Sequence, residues 1–241
     1  MSRRLLLLAA AAAACTEAPA DPLRSGPAAP IKPADPHAVA FHMRMHFEDL
    51  RMIERFLVSG KLEESTALAG LLARPSTDPA LAPFARDSSR VVAAAQELAK
   101  ATSIDDALRL EVRVAAACAD CHAAAKVSPL LGKVPPEPPA APGAPARMAR
   151  HAWAVDRLWE GVIGGDDFRW SIGLRVLASA PMTMAPLTDA TPLGERLQHL
   201  AAAQLATRMT TDLDQRATAY GEMLVTCAAC HASLRAIAVQ P

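Results

Sequence analysis

The sequence predicts an all-α protein of two tandem four-helix bundles, and three observations carry that expectation. Alanine and leucine dominate and aromatic residues make up only 4% of the chain, which favours helices packed through small side chains over sheets. Two near-identical five-residue patterns, Cys118-Ala119-Asp120-Cys121-His122 and Cys227-Ala228-Ala229-Cys230-His231, recur within similar helical surroundings. Between them, residues 128–146 hold seven prolines and two glycines, which can extend but cannot pack as a helix. The 241 residues suffice for two small cores.

The elements follow in order. Residues 1–15 read as an export signal, with Ser2-Arg3-Arg4 as the positive start and Leu5 to Ala14 as the apolar run. That run is too short for a bilayer, which takes roughly 20 residues. Cys15 follows three alanines in a lipoprotein-like cleavage site, although leucine is usual three positions before the cysteine. Lipidation of Cys15 is expected, the alternative being an ordinary signal peptide cut nearby. Residues 16–36, rich in proline and alanine, then form a flexible tether.

The first repeat, residues 37–127, is expected to hold helices over Ala38–Ser59, Leu62–Arg74 and Arg86–Lys100. A fourth is opened by the capping-box-like Ser103-Ile104-Asp105-Asp106. The second repeat, residues 147–237, matches it with Arg147–Gly164, Phe168–Ala180, Pro192–Thr207 and a helix opened near Thr211-Asp212-Leu213-Asp214. Pro75 and Pro181 close the second helix of each copy. Thr191-Pro192 pairs an N-cap with a first-turn proline. The turns Ser59-Gly60-Lys61 and Gly164-Gly165-Asp166 close each first helix. Each motif therefore falls near the C-terminal end of a long fourth helix.

The C-x-x-C-H pattern places two thiols for addition across the vinyl groups of one haem, with the adjacent histidine set to bind the iron. A thioredoxin-like pair calls for a βαβ context, and these flanks read as helix. One zinc site pooling all four thiolates leaves both following histidines without a purpose. Simple disulfides are the remaining alternative. Two copies at equivalent repeat positions point to two covalently bound haem c groups, attached through Cys118, Cys121, Cys227 and Cys230 and ligated by His122 and His231.

The other axial position is sought on the first helix of each repeat. Met43, His46, Leu50, Ile53 and Leu57 form one stripe, and Met148, His151, Val155, Leu158 and Val162 repeat it. A lone histidine on such a stripe is more often a hydrogen-bonded core residue, but here the repeat doubles it. His46 and His151 are therefore the expected distal ligands, with Met43 and Met148 as alternatives that would raise the potential. In an up-and-down bundle the start of the first helix lies beside the end of the fourth, which sets His46 and His122 at loosely matching levels. Lys126 and Arg235, four residues after the motif histidines, are candidates for haem propionates, although a cation in any last helical turn is also favoured by the dipole. His37, His42 and His199 have no repeat partners and are expected on the surface or in loops.

This pattern resembles the class II cytochromes c, cytochrome c prime and its low-spin relatives, over most of residues 37–126 and again over 147–235. The resemblance implies one haem per four-helix bundle, with the distal residue supplied by the first helix. Ala125 and Leu234 depart from it, standing where an aromatic residue often precedes the basic one, and so do the distal histidines, which weakens any transfer of gas-binding chemistry. The expectation is an exported electron carrier, periplasmic or membrane-tethered, and not an enzyme. It would have a donor and an acceptor protein as partners, and its membrane contact would come only through a lipid anchor. A haem module for NO or CO would need an open distal position. A peroxidase would also need polar acid–base groups, where the stripe offers mostly leucine and isoleucine. With 25 basic and 25 acidic residues, the zero net charge gives no broad attraction for nucleic acid.

Overall fold

The structure, a computed structural model, describes residues 35–127, 129, 131–179, 191–207 and 212–238. These form eight α-helices with no strand among the described residues, so the all-α expectation holds. The helices are α1 (Pro36–Val58), α2 (Leu62–Leu72), α3 (Ala85–Leu98), α4 (Ile104–Ala125), α5 (Ala144–Ile163), α6 (Asp167–Ser179), α7 (Thr191–Ala206) and α8 (Leu213–Ala238). The export signal, Cys15 and nearly all of the tether lie outside the described residues, as do Pro181 and Thr211. No helix among the described residues is long and apolar enough to cross a membrane.

Local chemistry sets the helix ends. The Asp35 carboxylate accepts from the His37 and Ala38 N–H groups at 2.9 and 3.0 Å, with Pro36 at the first position of α1. Ser103 caps α4, accepting from the Asp106 N–H at 3.2 Å and donating its hydroxyl to the Asp106 carboxylate at 2.9 Å, which places the N-cap at the capping-box-like start the sequence predicts. At α8 the cap is Asp212, which accepts from the Asp214 N–H at 2.9 Å, one residue after the expected start at Thr211. A 3₁₀ turn over Pro79–Phe84, not anticipated, is opened by Asp78 and delivers Leu81 and Phe84 to a small apolar cluster.

Packing closes twice in the same order. Helix α1 lies on α2, α2 on α3, α3 on α4 and α4 on α1, and α5 to α8 repeat the circuit. The apolar core, however, is continuous across both halves, with Leu50, Leu108 and Val112 in one cluster with Leu158, Val162 and Leu224. The strongest link between the halves is α4 against α8, where a Cβ on Gly221 would lie 3.5 Å from the Arg109 backbone. The proline-rich segment does not hang free. Trp153 Nε1 donates to the Pro135 carbonyl at 3.0 Å, Arg169 donates to that of Gly132 at 2.5 Å, and Leu131 packs on the core.

Setting Cys118 on Cys227 puts Glu111 on Tyr220, and setting His46 on His151 puts Arg51 on Asp156 and Glu54 on Trp159. One equivalent pair meets directly: Arg51 is ion-paired with Asp156 across the seam. Beside it Tyr220 donates to Glu54 at 2.9 Å, joining two positions that are not equivalent. Contact between like positions is what a two-fold relation between the halves produces.

Candidate functional site

Both motifs sit on the last turns of long helices, as expected. Cys118, Cys121, Cys227 and Cys230 are free thiols, each half-buried. Three residues apart on a helix, the two thiols of each pair share one face. Burial pushes the Cys118 thiol up to about 12, helped by Cys121 and Glu111, and Cys121 to about 11. Cys227 is likewise pushed to about 12, by burial and then by Glu54. These are protonated thiols, not the activated thiolates of a redox-exchange pair. Among the described residues no three His, Cys, Asp or Glu side chains converge on a metal-binding point, so the pooled four-thiolate zinc site has no geometric support.

His122 is held by the other half of the molecule. Its Nδ1 lies 3.3 Å from the carbonyl of Ile163, at the end of α5. A carbonyl only accepts, so Nδ1 carries the proton and the Nε2 lone pair is left for a ligand. Burial lowers the affinity of this imidazole for a second proton, which keeps it neutral. Beside it lies a groove of about 550 Å³ between the end of α4, the α5–α6 turn and the start of α8. Its lining includes His122, Ala119, Lys126 and Asp167. That volume lies within the usual range for cofactor sites.

His231 is half-buried and lowered in pKa by burial and by Arg235. The cations near the two motifs occupy matching places. Lys126 reaches the groove beside Gly165, and a Cβ on Gly60 would lie 2.8 Å from Arg235 Nη2. Each thus lies at the turn that follows the first helix of the opposite half.

The first-helix stripe is also where the sequence puts it. Met43 packs with Ala125, Leu81 and Phe84, so the start of α1 lies beside the end of α4. His46, three residues on, is about 4.5 Å further along the helix and approaches the level of the motif. It is half-buried, and burial followed by the charge of His42 lowers its pKa to about 4. His42, expected on the surface, is half-buried instead, its ring centroid 4.0 Å from that of His46, because successive turns stack i and i+4 side chains. His37 and His199 are exposed as anticipated.

His151 is 7% exposed, and its Nε2 has no hydrogen-bond partner. Burial and Arg150 lower its pKa to about 4, so it is a neutral imidazole with a free ring nitrogen. Met148 is half-buried one turn earlier. Among the described residues no hydrogen bond or ring contact joins His46 to His122, or His151 to His231. The donor set nonetheless fits covalent haem attachment: paired reduced thiols, neutral imidazoles and one orphaned buried ring nitrogen on the distal stripe.

A polar cluster on the seam escaped sequence reading. Arg51, Glu54, Glu111 and Tyr220 are all buried, although three are charged residue types. Two signals could have found it: Glu111 interrupts the apolar face of Leu108, Val112 and Ala115, and Tyr220 is the only tyrosine in the chain.

No known protein family, curated protein or solved structure matches this chain.

Proposed function

We propose that the protein is an exported dihaem cytochrome of class II type, two four-helix bundles docked through a shared core, that carries electrons between a donor and an acceptor protein. The observation that carries this reading is the pair of C-x-x-C-H motifs at equivalent ends of α4 and α8. Cys118 and Cys121 would bond one haem, Cys227 and Cys230 the other, with His122 and His231 as iron ligands. His46 and His151 would take the opposite faces, with Met43 and Met148 one turn away as alternatives. Lys126 and Arg235 would neutralise propionates. Haem, when bound, supplies a one-electron couple at its iron, tuned by ligand and burial. The residues keep these imidazoles neutral by partial or full burial, which leaves a ring nitrogen able to bind. Cys15 would tether the exported chain to a membrane.

The test is the absorption spectrum of the purified holoprotein, ferric and ferrous, with and without CO, alongside the haem-to-protein ratio. A ratio of two, low-spin bands and no CO response are expected. A high-spin spectrum or prompt CO binding at either site would replace distal histidine ligation with the gas-binding alternative. A chain that matures without haem would overturn the reading.

A further inference from the structure

The haem reading leaves unused an acidic cluster buried on the seam between the halves. Glu111 is 0% exposed, and neither of its carboxyl oxygens has a hydrogen-bond partner. Glu54, also buried, accepts from Arg51 Nη1 and from the Tyr220 hydroxyl, each at 2.9 Å. The same hydroxyl lies 3.3 Å from the Val155 carbonyl. Asp156, the solvent-edge member, is paired with Arg51.

The groups facing Glu111 are Glu54 and Arg51 from α1 and Tyr220 from α8. Asp156 from α5 acts through Arg51, and the exposed Arg55 acts on Glu54. No charged side chain of α2 or α3 acts on Glu111 among the described residues. Three carboxyl groups thus share one buried guanidinium. Their simultaneous ionisation in a low-dielectric interior is costly, so one proton is retained. Burial first, and then Glu54, hold the Glu111 carboxyl well above its ordinary range.

The cluster lies between the two motifs. Glu111 and Tyr220 each stand seven residues before the first cysteine of their motif, two turns back along α4 and α8. That is a rise of about 10 Å on each helix. The charge of Glu111 reaches Cys118, and that of Glu54 reaches Cys227.

We propose that Glu111, with Glu54 and Tyr220, forms a proton-binding site whose occupancy is linked to the oxidation state of the irons carried by α4 and α8. The proposal rests on the haem reading above. At a pH high enough to ionise Glu111 while the irons are oxidised, entry of one electron from a donor protein draws one proton from solvent onto Glu111: an O–H bond forms on the carboxylate and no other bond changes. When that electron leaves to an acceptor, the proton returns. A unit change of charge near the motif end of either helix, at a range of about 10 Å or somewhat more, shifts a carboxyl by up to about one pKa unit, enough to couple the two events.

The experiment is redox potentiometry of the holoprotein over a pH series, after its haem ratio has been measured, for the wild type, Glu111→Gln and Glu111→Leu. In the wild type, a midpoint potential should fall as pH rises through the Glu111 titration. Both variants should keep two haems and lose that slope. The redox-induced infrared difference spectrum should show a protonated-carboxyl band in the wild type that is missing from Glu111→Gln. Glu111→Leu covers the case in which the amide disturbs the seam. Equal slopes in all three proteins, or a wild-type potential independent of pH, would overturn the linkage while leaving the haem reading intact. Absence of haem would overturn both.

Discussion

The two halves repeat one helix order but differ where they meet. The first half brings Arg51, Glu54 and Glu111 to the seam, and the second brings Asp156, Trp159 and Tyr220 to the same positions. In an association of identical copies, a residue near the two-fold axis faces itself, so Arg51 would face a second arginine. Within one chain the two positions can diverge separately, and here Arg51 and Asp156 have become an ion pair, with the Tyr220–Glu54 hydrogen bond beside it. The difference teaches that these halves are complements. The seam favours one half against the other over two copies of either.

The largest expected effect divides the halves by their chemistry. Cys118→Ser with Cys121→Ser should lower the haem-to-protein ratio from two to one, as should Cys227→Ser with Cys230→Ser. Difference spectra of the two variants would then separate the haems. Loss of both haems from either variant would show that the halves cannot be loaded independently, and would break the comparison at its root.

The seam comes next. Arg51→Ala leaves Glu54 without its buried cation and should destabilise by about 3–5 kcal/mol in denaturant unfolding. Asp156→Ala removes the more exposed partner and should cost under about 1 kcal/mol. Exchanging the charges, with Arg51→Asp and Asp156→Arg together, should not restore stability, because Glu54 stays beside the new aspartate. Full recovery would mean that Glu54 contributes nothing to the asymmetry.

Glu111→Leu should act in the opposite direction. Removing a buried, unpartnered carboxyl should stabilise by about 1–3 kcal/mol. The gain should grow with pH. A carboxyl whose folded pKa is raised supports the fold below its unfolded value and loses that support as pH rises through the folded one. Urea unfolding at mildly acidic and alkaline pH measures this, and a gain independent of pH would show that Glu111 does not titrate in the folded protein.

The motifs, the helix order and the first-helix stripe were legible in the sequence because each depends on local spacing: C-x-x-C-H on one helical face, apolar residues at three and four, caps at the ends. The seam was not legible. Pairing Arg51 with Asp156, or Tyr220 with Glu54, joins residues more than a hundred positions apart, and no local pattern encodes which faces of the two halves will meet. The docking of residues 131–135 was hidden for a related reason. Proline content reports what a segment cannot form, whereas Trp153 and Arg169 decide where its carbonyls bind. His42 was misread because the missing repeat partner was taken to mean exposure, while its neighbour one turn on was enough to draw it inward.

The smallest effects test how each half spaces its first two helices. In α5, a Cβ on Gly161 would lie 2.8 Å from the Cα, Cβ and N of Trp170, and across the same contact a Cβ on Gly173 would lie 2.8 Å from the Ala154 carbonyl. Helices α5 and α6 therefore meet at backbone distance. Trp170 is only 1% exposed and has no room to withdraw. In the first half, the register that sets His46 on His151 puts Phe56 at the Gly161 position, so no glycine there permits the same backbone approach. The helical glycine of that half, Gly70 in α2, has nothing within 4 Å of its added Cβ. Gly161→Ala should thus cost about 1–3 kcal/mol by overpacking. Gly70→Ala should add about 0.5–1 kcal/mol by restricting the unfolded chain without strain. Thermal unfolding of both variants reads the two signs directly. A neutral Gly161→Ala would mean that α5 and α6 can part without loss, and that the closer packing of the second half is not what distinguishes it from the first.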